Sequence, residues 1–258
     1  MPTFTTPDGV KLNYLESGSG QPALVMVHGL CSNARHWDAQ ARAFGRRHRV
    51  IRPDLRGHGA SEAPARGYSI RRFAEDVAAL TRARRVRGAV ILGHSMGGLV
   101  AVEAARRHRD LFKALVLVDM PAGVGGLSSA QARQSPLAQS MVNGAWPDAV
   151  EQLYARFFTN TRDKRLAGRI TKDAGRTRQA AAAASTVALV RYALPAAAKQ
   201  VKQPALYIAA SQGNARWDAL REHIPQVQFA RVVGAGHFLQ LEAPDQCNAM
   251  IREFIARL

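Results

Sequence analysis

The stretch AVILGHSMGGLVAVEAARRH (89–108) constrains the fold of this chain more than any other. An apolar run ends at Gly93-His94-Ser95-Met96-Gly97, and a helical pattern starts directly after it. Short β-branched runs that are apolar on both faces belong to strands covered by helices on either side. The turn between strand and helix matches G-x-S-x-G. A serine there is thrust above the carboxyl edge of the sheet, on a bend so tight that its neighbours must be small. The helix N-terminus behind Ser95 favours developing negative charge. Alone, the five residues also fit an ordinary glycine-rich turn. The strand before and the helix after make them the setting of a nucleophile.

The rest of the chain repeats the alternation. ALVMVHG (23–29), HRVIRPD (48–54), ALVLVD (114–119), ALYIAAS (205–211) and VQFARVVG (227–234) read as further strands of a mostly parallel sheet. Ile70, Phe73, Val77 and Leu80 recur at helical spacing, as do Met250, Ile251, Phe254 and Ile255. The leading TFTTPDGVKLNYLES reads as a hairpin turning at Asp8-Gly9. One block departs from the pattern. Residues 120–202 hold no strand-like run, only Ala-, Arg- and Gln-rich helical stretches, of which 180–194 is the clearest, with Pro195 as its stop. This block is expected to be a helical cap inserted between the two parts of a core domain, 1–119 and 203–258.

Charge enters because it is unusual. Lys and Arg number 36 against 19 Asp and Glu, for a net charge of +17. Such an excess suits nucleic acid or an anionic surface. Yet the basic residues are mostly Arg in an Ala-rich chain, they are scattered, and no aromatics interleave with them as base stacking requires. No nucleic-acid partner is expected. The 120–202 block carries 12 Lys and Arg against 4 Asp and Glu. That surplus predicts a mild preference for substrates bearing a remote carboxylate. No run approaches the roughly 18 apolar residues of a membrane span, and no secretory signal is visible, so cytoplasm is the expected location. Cys31 and Cys247 fit no metal spacing or disulfide framework and read as free thiols.

Three further motifs accompany the serine turn: VHGLCSN (27–33), RPDLRGHGASE (52–62) and GAGHFLQLEAP (234–244). With GHSMG they resemble, in order, the oxyanion loop, the D-x-R-G-x-G-x-S segment, the nucleophile turn and the histidine loop of the α/β-hydrolase family. The resemblance covers everything outside the 120–202 block. It implies the α/β-hydrolase fold, with helices on both faces of the sheet and a cap after the sixth strand. It further implies Ser95 as nucleophile, His237 as general base, and the N–H groups of Leu30 and Met96 as an oxyanion hole. His28, His58 and His94 are expected to serve local hydrogen bonding, and Asp54 to anchor a loop.

The third member of the triad is less direct. Many relatives carry an Asp in the loop after the seventh strand, and here that loop reads ASQGN (210–214), without an acid. Asn214 can orient an imidazole but supplies no charge. Asp218 and Glu222 lie further on, in a helical stretch. Asp119 ends the strand next to the nucleophile's, at the same edge, and gives the chain order Ser…Asp…His. Some haloalkane dehalogenases and lipases place the acid there. Asp119 is the expected acid, with Asp218, or a Ser–His dyad or Asn-assisted site, as alternatives.

Together these residues imply acyl transfer through a covalent acyl-enzyme, without metal or organic cofactor. The expected substrates are small to medium carboxylic esters, with lactones and thioesters as further candidates. Trp146, Tyr154, Phe157, Phe158 and Tyr192 of the cap are candidates for an acyl or aryl pocket, or for the cap's own core. A cofactor-free dioxygenase, a C–C bond hydrolase or a non-catalytic ligand receptor are the alternatives on the same fold.

Overall fold

A computed structural model describes residues 2–123, 125–158, 161, 163–211 and 217–258. The Asp8-Gly9 turn joins β1 (Thr3–Thr5) to β2 (Lys11–Ser17) as an antiparallel hairpin, with Gly9 at φ +87°. The chain continues through β3 (Leu24–Val27), α1 (Asp38–Phe44), β4 (Val50–Pro53), α2 (Ile70–Ala83), β5 (Ala89–His94), α3 (Met96–Arg107) and β6 (Phe112–Val118). Among the described residues six α-helices follow: α4 (Ser129–Gln134), α5 (Pro136–Asn143), α6 (Asp148–Ala155), α7 (Lys164–Gly175), α8 (Gln179–Arg191) and α9 (Leu194–Ala198). The alternation then resumes with β7 (Ala205–Ala209), α10 (Trp217–His223), β8 (Val227–Arg231), α11 (Leu239–Glu242) and α12 (Pro244–Ala256). The sheet order is β1-β2-β4-β3-β5-β6-β7-β8, antiparallel in its first two pairings and parallel in the rest.

The two faces of the sheet explain why its strands are apolar throughout. Side chains alternate along a strand. Leu24, Met26, Val50, Val90, Leu92, Ala114 and Val116 therefore pack on one side against Trp37, Ala41 and Phe44 around α1 and Cys247, Ile251 and Phe254 of α12. Val25, Val27, Ile51, Ile91, Leu115 and Leu117 point the other way, into a core with Phe73 and Val77 of α2 and Leu99 of α3. Of the periodic residues read from sequence, all four of α2 and Ile251 and Phe254 of α12 are buried in these faces, with Met250 and Ile255 partly buried against them. Ser69 caps α2 by accepting the Arg72 N–H. Arg56 is fully buried and ties the 54–62 loop to α2 through Asp76 at 2.6 Å and to the hairpin turn through Asp8 at 3.0 Å.

Pro195 differs from its expected role. Helix α8 already ends at Arg191, and Pro195 sits in the first turn of α9, where its missing N–H has no intrahelical partner to lose. No helix among the described residues is long and apolar enough to cross a membrane.

Candidate active site

All the expected site residues gather at the carboxyl edge of the parallel strands. Ser95 follows β5 with φ +51° and ψ −121°, a conformation a non-glycine residue holds only when the surroundings enforce it. What enforces it is close packing. A Cβ on Gly97 would come within 2.5 Å of the His28 carbonyl oxygen, and one on Gly93 would collide with the Gly97 backbone. The Ser95 N–H donates to the Val118 carbonyl at 2.9 Å, binding the turn to the end of β6. Met96 opens α3, so its N–H is among those a helix leaves without an intrahelical acceptor. Gly29 lies against Ser95, with its Cβ position 3.1 Å from that of the serine, and Leu30 comes next.

Asp119 leaves β6 in the left-handed region, at φ +41°, which Asp tolerates better than most residues. Its Oδ2 is 2.7 Å from Nδ1 of His237, and its Oδ1 accepts the Ala210 N–H at 3.1 Å. The carboxylate thus bridges the end of β7 and the imidazole, and both side chains are only about one-seventh exposed, at 15% and 16%. Asp218 and Glu222 are exposed on α10. Gln212, Gly213 and Asn214 lie outside the described residues.

Further contacts hold His237 and its loop in place. Glu242 accepts the N–H groups on either side of it, from Gly236 at 3.2 Å and Phe238 at 3.1 Å. Thr161 also donates to that carboxylate. The Phe157 ring lies over the imidazole with centroids 4.3 Å apart. Nε2 of His94 donates to the His237 carbonyl at 2.8 Å. Beside the oxyanion loop, the Tyr154 hydroxyl donates to the Leu30 carbonyl at 2.5 Å. Burial pushes the Tyr154 phenol well above its ordinary pKa, so it stays a donor.

The other motif residues support the loops. His28 donates from Nδ1 to the Gly29 carbonyl and accepts the Leu55 N–H on Nε2, which makes it the neutral Nδ1–H tautomer. Burial lowers its pKa in the same sense, and holds that of His94 well below the ordinary imidazole value. Asp54 accepts from the Asn13 amide and from the N–H groups of Ala34 and Ala60, which anchors its loop.

Ser95, His94, His237, Gly29 and Leu30 open onto a cavity of about 180 Å³. The segment between β6 and β7 adds Pro121, Leu137, Leu153, Tyr154, Phe157 and Leu189, and Ser32 and Phe238 complete the lining. Of the five aromatics singled out in sequence, only Tyr154 and Phe157 line it. Phe158 stacks on Phe238, Trp146 donates to the Gly175 carbonyl, and Tyr192 donates to Glu103. These three hold the helical segment together and to α3.

The sequence profile described as the alpha/beta hydrolase family matches residues 24–250. The chain belongs to that family. The α/β-hydrolase is 29% identical to 2-(acetamidomethylene)succinate hydrolase of Mesorhizobium japonicum, over 95% of this chain and 92% of that one. It is 26% identical to 3-oxoadipate enol-lactonase 2 of Acinetobacter baylyi, over 99% and 96% respectively. Among solved structures, a thermophilic esterase from Thermogutta terrifontis superposes with a TM-score of 0.85 at 25% identity, covering 99% of this chain and 98% of that one.

Proposed function

We propose that this α/β-hydrolase cleaves carboxylic esters through an acyl-enzyme on Ser95. The observation that carries the reading is the 2.7 Å pair between His237 Nδ1 and Asp119 Oδ2, at the wall of a cavity that Ser95 shares. With Nδ1 engaged, Nε2 of His237 is the nitrogen left to accept a proton. Ser95 Oγ attacks the ester carbonyl as His237 takes its proton, and the imidazolium that forms is stabilised by Asp119. The developing oxyanion meets the N–H groups of Leu30 and Met96. Collapse expels the alcohol, which takes the proton from His237. A water activated by the same imidazole then releases the acid and restores Ser95.

Several contacts support these roles. Glu242 and His94 hold the histidine loop through its backbone, while Tyr154 fixes the oxyanion loop. Residues 120–202 act as a cap on the 1–119 and 203–258 core, because six of their side chains line the cavity. Lactones and thioesters would pass through the same intermediates. The names of the hydrolase, lactonase and esterase relatives are consistent with acyl transfer to water. A panel of neutral esters, lactones and thioesters assayed with wild-type and Ser95→Ala protein tests the proposal. Turnover by the wild type and its loss in a folded Ser95→Ala variant is the expected result. Near-normal turnover by that variant would overturn it.

A further inference from the structure

We infer that the acyl group this site accepts is an uncharged hydrocarbon of about six carbons, a ring or a short chain. The inference rests on the ester-hydrolase reading and adds the substrate class to it. Size comes first. A cavity of about 180 Å³ is close to the roughly 150 Å³ that accommodates a benzene molecule in a dry, hydrocarbon-lined protein interior. The acyl group stays bonded to Ser95 after the alcohol departs, so it is the part of the substrate that must fit these walls.

Chemistry comes second. Leu137, Leu153, Leu189, Pro121 and the rings of Phe157 and Phe238 make up the apolar part of the lining. The side-chain donors among the described lining residues are already engaged, and the unpartnered Nδ1 of the neutral His94 offers a carboxylate only a lone pair. Tyr154 and Ser32 both donate to the Leu30 carbonyl, and His94 Nε2 donates to the His237 carbonyl. Ser95 and His237 are occupied by the reaction itself. A carboxylate entering this space would lose its water and find no cation among those residues, which is costly for an ion. The surplus of Lys and Arg in residues 120–202 therefore acts at most at long range, on approach. Inside the cavity, selection runs against charge. That sets the site apart from the succinate and oxoadipate in the names of two relatives.

Two substrate series with the wild-type enzyme test this. The first is methyl esters from acetate to decanoate. kcat/KM should rise about 4-fold per added methylene, as burial of each one predicts, and stop rising near hexanoate. The second compares methyl hexanoate with monomethyl adipate, at low and high ionic strength. The neutral ester should be preferred by on the order of 10²-fold or more, with the gap widening in salt as long-range attraction is screened. Leu153→Trp, which fills the cavity, should move the chain-length optimum to shorter acyl groups. Equal or better turnover of the hemiester, or a chain-length profile without a break, would overturn the inference while leaving ester hydrolysis intact. Failure on every ester, with Ser95 unreactive to a fluorophosphonate, would remove the parent reading as well.

Discussion

Replacing Asp119 by Asn keeps the shape of the side chain and removes its charge, and the surrounding hydrogen bonds dictate what happens next. Oδ1 of Asp119 accepts the Ala210 N–H at 3.1 Å. An amide nitrogen cannot accept there, so the Asn carbonyl oxygen stays on Ala210 and the NH₂ group turns to His237. The imidazole must then accept on Nδ1 and carry its proton on Nε2, the nitrogen that the proposed mechanism needs free to deprotonate Ser95. Two losses combine: the wrong tautomer in the resting state and no carboxylate beside the imidazolium. The expected fall in kcat is about 10²–10⁴-fold at neutral pH. Stability should change by roughly 1 kcal/mol or less, because both hydrogen bonds are replaced. The assay is steady-state hydrolysis of a neutral ester beside thermal unfolding, with Asp218→Asn as the control. Asp218 is exposed in the first turn of α10, where its charge contributes roughly 0.3–1 kcal/mol to the helix. A crippled Asp218→Asn with a mild Asp119→Asn would refute the reasoning. Two mild variants would leave Ser95 and His237 as a dyad.

Tyr154→Phe removes the hydroxyl that holds the Leu30 carbonyl. It should lower kcat about 10-fold with little change in KM, since a displaced oxyanion donor matters in the transition state; an unchanged kcat would contradict that role. Burial holds His36 and His58 neutral, with pKa values near 3. Unfolding restores them to about 6.5, so the unfolded chain binds more protons between those values. Stability is therefore full above about pH 6.5 and lost as pH falls towards 3, by about 3 kcal/mol per unit for the pair. Denaturant titrations at pH 7 and pH 5 check this, and equal midpoints would refute it.

Much of the fold was legible because its signals are local. An apolar run flanked by glycine, a serine or proline at a helix start, and Asp-Gly at a turn each act within a few residues. The Ser95 turn, the six core strands read from sequence and the α2 and α12 faces all came from such signals. The place of Asp119 beside the Ser95 turn was legible for a related reason: a residue that ends one strand must emerge beside the residue that ends its neighbour. The remaining contacts depend on partners far along the chain. Nothing near Glu242 signals that it grips the amides beside His237, although its place five residues after that histidine is suggestive. Tyr154 reaches Leu30 across 124 residues. Phe157, Phe158, Trp146 and Tyr192 looked alike as apolar aromatics. Only the packing of α6, α8 and the histidine loop separates the one that faces the cavity from the three that hold the helices.

The central claim is a covalent acyl group on Ser95. Acid-quenching the enzyme within the first turnovers of an activated hexanoate ester, followed by mass spectrometry of its peptides, tests it most directly. The account predicts about one acyl group per chain, located on Ser95, and neither adduct nor turnover in Ser95→Ala. Sustained ester hydrolysis with Ser95 unmodified, or by Ser95→Ala at near wild-type rate, would contradict it.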